Sequence, residues 1–136
     1  MSDLKQSVKE QLIQDALEAR KKAYVPYSKY PVGAALLTAS GKTYSGANIE
    51  NAAFPVTICA ERVAIFKAVS EGDMDLQAIA VATKNGGTPC GSCRQVMAEF
   101  NPELILYIVD ENGKITQETT LKEILPGYFG PDSLVR

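Results

Sequence analysis

The stretch from Ala78 to Asp110, AIAVATKNGGTPCGSCRQVMAEFNPELILYIVD, decides the architecture. Ala78–Thr83 and Leu104–Asp110 are near-continuous apolar runs of strand length, the pattern of strands buried on both faces. Between them lie a glycine-containing loop, Lys84–Thr88, and a short helical segment, Cys93–Phe100, stopped before Pro102. Strand, helix and strand in that order predict a parallel pair joined by a crossover.

Outward from this unit the same signals recur. Upstream, Cys59–Ser70 predicts a helix with Val63, Phe66 and Ala68 or Val69 on its apolar face, ending near Gly72. Asn51–Ile58 is irregular and holds Pro55. Val32–Thr38 predicts a strand, with Thr43–Ile49 as its hairpin partner across a turn at Gly41. Leu4–Ala23 is an amphipathic helix, with Leu4, Val8, Leu12, Ile13, Ala16, Leu17 and Ala23 at helical spacing. Ser2 or Asp3 could cap its start, and Pro26 bars its continuation. Downstream, Glu111-Asn112-Gly113 turns the chain into Lys114–Thr119, and Leu121–Leu125 is a brief helix before Pro126. The order predicts a single α/β domain over residues 1–136, a three-layer α/β/α sandwich around a mixed sheet of about five strands.

Composition agrees with a globular chain. Of 136 residues 46% are hydrophobic and 22% charged, which excludes the disordered class. No apolar run approaches the roughly 18 residues that span a bilayer, so no membrane association is expected. The first twenty residues are charged throughout and carry no secretory signal. Three cysteines, an odd number, do not suggest a disulfide framework, and a cytoplasmic location is expected. The net charge is −2 and the densest basic cluster is only Arg20-Lys21-Lys22, so a nucleic-acid partner is not expected. Histidine is absent, which removes Ser-His-Asp and Cys-His catalysis and every His-containing zinc site. Acid–base chemistry near neutrality then falls to a perturbed Glu, Asp, Lys or Cys.

The three cysteines are Cys59, Cys90 and Cys93: Cys59 opens one predicted helix after a loop, and Cys90 and Cys93 stand between a loop and the start of another. Alone, Cys90-Gly91-Ser92-Cys93 is a metal knuckle, a redox pair or two small apolar residues in a core. Cys59 at a second helix start tilts the balance toward metal, because helix N-termini favour thiolates. Three protein ligands leave a tetrahedral zinc one position short, the mark of a catalytic rather than a closed structural site.

Glu61 follows Cys59 by two residues and can stand beside the metal without binding it; otherwise it is a solvated first-turn glutamate. Arg62 could donate to thiolate sulfur and offset the negative charge of a three-thiolate site; otherwise it is half of a surface ion pair. Arg94 is a weaker candidate for the same task. Asn48 and Glu50 share one face of a strand end and can meet one ligand, although a turn-capping Asn and a solvated Glu are common. Tyr30 and Phe129 are, on composition alone, core aromatics.

Cys59-Ala60-Glu61-Arg62 followed by Pro89-Cys90-Gly91-Ser92-Cys93-Arg94-Gln95-Val96 resembles the zinc-dependent cytidine deaminases, in the Cys variant of their H-x-E…P-C-x-x-C signature. Residues 24–36, 46–52 and 125–129 resemble further segments of that family, so the likeness runs from about Ala16 to Phe129; the short homotetrameric branch fits best. The resemblance implies one zinc ion per chain on Cys59, Cys90 and Cys93, and zinc-bound hydroxide attacking C4 of cytosine in free cytidine and 2′-deoxycytidine. It implies Glu61 as the proton shuttle, Asn48 and Glu50 on the ribose, and Tyr30 near pyrimidine and sugar. The Ala60 backbone, with Thr57 or Cys90, would read the base edge, and Phe129 would stack on the base of a neighbouring subunit in a homotetramer with shared sites. Two positions depart from the family's pattern: Tyr30 stands where Phe is common, and Phe54 where Tyr is common.

Two other readings compete. One is deamination of another cytosine compound, such as a blasticidin-type antibiotic. The other is a non-catalytic zinc or dithiol module, in which Glu61 is dispensable.

Overall fold

A computed structural model describes residues 4–134. Helix α1 spans Gln6–Arg20, followed by strands β1 (Gly33–Thr38) and β2 (Thr43–Ala47), helix α2 (Ala60–Ser70), strand β3 (Leu76–Ala82), helix α3 (Gly91–Phe100), strands β4 (Ile105–Val109) and β5 (Ile115–Thr120), and the short α4 (Leu121–Ile124). Single 3₁₀ turns occur at Phe54–Val56 and Pro131–Ser133. Among the described residues no helix is long and apolar enough to cross a membrane.

The five strands form one mixed sheet in the order β2-β1-β3-β4-β5. Only β3 and β4 pair in parallel; β1 runs antiparallel to both β2 and β3, and β5 antiparallel to β4. The chain leaves β2, crosses over β1 through α2 and returns as β3 on the far side of β1. β3 therefore shares the direction of β2 without touching it, a skipped crossover that the alternation of strands and helices does not reveal.

Side-chain alternation divides the core in two. Ala34 and Leu36 of β1, with Ile79, Val81, Leu106 and Ile108, pack beneath α2, α3 and α4. Ala35 and Leu37, with Ala78, Ala80, Ile105, Tyr107 and Val109, pack against Leu12, Ile13 and Ala16 of α1. The sandwich is α/β/α, as the sequence pattern predicts, and β4 is buried along its whole length.

Helix α1 is shorter than the predicted Leu4–Ala23. It stops at Arg20 because Tyr24 joins a parallel bridge with Ile49, sealed by Tyr24 N–H to Asn48 O (2.9 Å) and Glu50 N–H to Tyr24 O (2.9 Å). At its start Lys5 flanks the helix without a side-chain cap; the suggested caps Ser2 and Asp3 lie outside the described residues. Gly46 lets α2 lie close on the sheet: a Cβ there would stand 2.7 Å from Ala60 O and Ala64 N.

Candidate metal centre and active site

The carboxyl end of β3 and the N-termini of α2 and α3 meet at a cavity of about 360 Å³. Parallel strands commonly bind ligands at this end, where the connections to helices leave a crevice. Cys59 flanks the first residue of α2 and Cys90 that of α3, both in extended backbone, while Cys93 lies in the first turn of α3. Both helices thus begin at a sulfur, and their unpaired first-turn N–H groups favour negative charge there.

The three sulfurs converge. Cys59 Sγ lies 3.9 Å from Cys90 Sγ, and Cys90 Sγ lies 3.5 Å from Cys93 Sγ. All three fall within 4.8 Å of one another. A tetrahedral zinc with bonds of about 2.3 Å sets its sulfurs roughly 3.8 Å apart, so this donor set fits one such ion. The only cluster of this kind among the described residues contains no carboxylate, which leaves a fourth position without a protein ligand.

Arg62 serves the charge of the cluster. Its Nη2 donates to Cys59 Sγ at 3.3 Å, while its buried Nε finds no partner among the described residues. The hydrogen bond to Cys59 is the main reason the guanidinium is held above its usual range. Cys59 in turn is held well below the ordinary thiol range, first by hydrogen bonding from Cys93 and then by Arg62. Cys93, the donor to that thiolate and itself buried, is held above it. Arg94 does not share the task. Its Nη1 donates to Ile124 O at 2.7 Å, its Nε to Pro89 O at 2.8 Å and its Nη2 to Thr88 Oγ1 at 3.0 Å. It braces the knuckle's loop instead of its sulfurs.

Glu61 lines the cavity and is only 4% exposed. It is therefore not a solvated first-turn glutamate. Burial pushes its carboxyl up from 4.5 to about 7, with the Cys59 thiolate adding to the shift and Arg62 opposing it.

Asn48, Glu50, Tyr30, Ala60 and Thr57 line the same cavity. Asn48 and Glu50 flank the bridge residue Ile49, just beyond β2, and both brace the segment that carries Tyr30. Asn48 Nδ2 donates to Tyr30 O (3.0 Å) and its Oδ1 accepts from Val32 N–H (2.9 Å). Glu50 Oε1 accepts from Tyr27 and Ser28 N–H, both at 3.0 Å, and the contacts from Ser28 keep its carboxyl below the usual range. Phe129 is not among the residues lining its own chain's cavity and is 56% exposed. Nor is Phe54 a core residue: it lines the cavity while 81% exposed.

Sequence reasoning passes over Thr83 and Asn85, which support the loop between β3 and Cys90. Thr83 Oγ1 accepts from Gly87 N–H at 2.9 Å. Neither belongs to a pattern that signals chemistry, because their partners are backbone and a distant tyrosine.

Residues 6–109 match the family model described as the cytidine and deoxycytidylate deaminase zinc-binding region. The chain is 51% identical over 128 residues to a cytidine deaminase of Sporosarcina psychrophila, covering 92% of this chain and 93% of the relative. It is likewise 51% identical over 129 residues to a cytidine deaminase of Halalkalibacterium halodurans, covering 93% and 97%. The crystal structure of cytidine deaminase from Burkholderia pseudomallei superimposes with a TM-score of 0.84 at 40% identity, covering 93% of this chain and 100% of that one.

Proposed function

We propose, for a chain that belongs to the family of zinc-binding cytidine and deoxycytidylate deaminases, that it hydrolyses free cytidine and 2′-deoxycytidine to uridine and 2′-deoxyuridine with release of ammonia. One observation carries the reading: three convergent sulfurs share a cavity with a buried carboxylate that does not join them.

Cys59, Cys90 and Cys93 would hold the zinc ion, which when bound supplies Lewis-acid activation of a water nucleophile. The chain's own residues handle the protons. Glu61 accepts a proton from the attacking water and returns it to ring N3 as the oxygen adds to C4. It then relays the second water proton to the departing amine, so that water plus cytidine gives uridine plus ammonia. Burial raises this carboxyl's affinity for a proton above that of a solvated glutamate, which suits a group that must take a proton up before handing it on. Arg62 keeps the thiolate charge in check.

The base edge meets the N–H of Ala60, a first-turn donor with no partner inside its helix, together with Thr57 or Cys90 backbone groups. Asn48 and the second oxygen of Glu50 meet the sugar hydroxyls. Each is pre-set by its bonds to the Tyr27–Val32 segment, so little ordering remains to be done on binding. Tyr30 closes the pyrimidine and sugar side. Phe129 acts in a neighbouring copy, within a homotetramer with shared sites; its exposure and its absence from its own cavity support this, as does the exposed rim at Phe54 and Val56. Free thiols at the site suit the reducing cytoplasm.

The test is a metal count on the purified protein combined with an ultraviolet assay on cytidine. About one zinc per chain and conversion to uridine are expected. A metal-free protein with full activity overturns the reading, and turnover of a blasticidin-type substrate without turnover of cytidine replaces the substrate.

A further inference from the structure

The Lys84–Thr88 loop carries no motif, yet one of its side chains ties together two walls of the cavity. The Tyr30 hydroxyl donates to Asn85 Oδ1 at 2.6 Å. Ser28 and Tyr30 line the cavity from one segment; Thr83, Gly87, Thr88 and Cys90 line it from the other. Asn85 does not line the cavity, but its Oδ1 meets two residues that do: Tyr30 at 2.6 Å and Thr83 Oγ1 at 3.5 Å.

Each segment is independently fixed to its own neighbourhood. On the first, Lys29 adopts φ +59°, the one non-glycine residue in the left-handed region among those described, a conformation that disfavours side chains. Lys29 N–H to Val25 O (3.1 Å), Tyr30 N–H to Ser28 Oγ (3.0 Å) and Asn48 Nδ2 to Tyr30 O (3.0 Å) hold it there. Strained backbone of this kind persists where its surroundings over-determine it, and it tends to cluster at ligand sites. Here the strained residue immediately precedes the tyrosine it presents.

On the second segment, Gly86 has φ +72°, and a Cβ there would stand 2.5 Å from the Thr116 side chain, so the tight approach requires glycine. Thr116 Oγ1 donates to Gly86 O at 3.0 Å, and Asn85 bridges to Asp110. The oxygen of Asn85 is therefore a fixed acceptor. A side chain without a hydroxyl at position 30 could not use it.

We propose that Asn85 is a positioning residue for nucleoside binding. Through the Tyr30 hydroxyl it fixes the ring against which the nucleoside seats, and it sets the spacing between the sugar-side segment and the loop that leads to Cys90. The assignment rests on the nucleoside deaminase reading given above. Glu61 and the sulfurs lie outside the link, so its loss weakens substrate binding without slowing the proton transfers.

Steady-state kinetics with cytidine on zinc-loaded full-length protein test it. Tyr30→Phe and Asn85→Leu each raise KM about two- to tenfold, the worth of one net hydrogen bond, with kcat held within about twofold. The double variant is no worse than either single one. Asn85→Asp, which keeps the acceptor oxygen, restores most of the KM lost in Asn85→Leu. Additive losses in the double variant, a fall in kcat at constant KM, or Asp behaving as Leu each overturn the proposal. Should Asn85→Leu misfold or lose zinc, Tyr30→Phe decides alone, and an unchanged KM overturns the proposal. If wild-type protein leaves cytidine untouched, the functional reading fails, and the link is then read from amide exchange over residues 84–88. Faster exchange in Tyr30→Phe upholds the link; unchanged exchange overturns it.

Discussion

Arg62 Nη2 stands 3.3 Å from the sulfur of Cys59, three residues earlier on the same helix start. One sulfur of the convergent trio and its counter-charge are thus delivered by one helical turn. Replacing Arg62 with Gln removes a charge-assisted hydrogen bond, worth about ten- to a hundredfold. We expect kcat to fall by that order and the acid limb of the pH–rate profile to move upward, because uncompensated thiolate charge opposes loss of a proton in the cavity. An unchanged profile counts against this role.

Glu61→Gln keeps the shape of the side chain and removes the proton relay proposed for it. We expect zinc content to match the wild type, since Glu61 is outside the sulfur cluster. Turnover drops by about 10²–10⁴-fold or more. Near-normal turnover with zinc in place would falsify the assignment and favour a non-catalytic metal module.

If Phe129 works in a neighbour's cavity, Phe129→Ala and Glu61→Gln chains, each inactive alone, recover activity when mixed and reassembled. Some mixed sites then hold an intact carboxylate and an intact ring. Absence of rescue in demonstrably mixed oligomers removes the shared site.

Asp73 Oδ2 gathers three hydroxyls: Thr38 at 2.7 Å, Ser40 at 2.8 Å and Tyr44 at 2.9 Å. The bond from Thr38 leads in holding the Asp73 carboxyl below its usual range. Burial, reinforced by Asp73, pushes the Tyr44 hydroxyl up from 10.0 to about 12. Asp73 is depressed, so its contribution is present above the unfolded carboxyl range and is lost as pH falls through the folded value. Tyr44 is raised, so its contribution is intact below pH 10 and is lost as pH rises toward 12. Asp73→Ala should lower the thermal midpoint by several degrees at neutral pH. It should also flatten the decline at both extremes in melts followed by circular dichroism.

At Gly46 an added methyl group meets Ala60 O and Ala64 N at 2.7 Å and Val63 Cβ at 2.8 Å. Most of these are helix backbone and cannot rotate away. Gly46→Ala is expected to cost about 1–3 kcal/mol and to loosen zinc, because α2 begins at Cys59 and moves as a unit. Melting curves and residual zinc after dialysis report both effects.

The elements were legible because their signals are local. Ala78–Thr83 and Leu104–Asp110 announce themselves as unbroken apolar runs, and both form buried strands of the sheet centre. The antiparallel pairing of β1 with β3 was not legible, since no single window records which strand the α2 crossover skips. The cysteines could be placed because all three gather at two helix starts, Cys59 before α2 and Cys90 and Cys93 at the beginning of α3. Of two arginines that each follow a site residue, the sequence favours Arg62 over Arg94 for the sulfurs, but spacing cannot show what Arg94 does instead. Arg62 turns to sulfur while Arg94 turns to Ile124, and only the position of α4 decides that. Asn85 and Asp73 escaped entirely: their partners are separated by 55 and 35 residues, and each reads locally as an ordinary loop polar group.

Cys59 and Cys90 begin helices whose first residues are Ala60 and Gly91, one before and one after the central strand β3. An ion held by both would rivet two separately coded pieces of chain, so the rate at which the protein surrenders zinc to a chelator would gauge how firmly the two helix starts stay together.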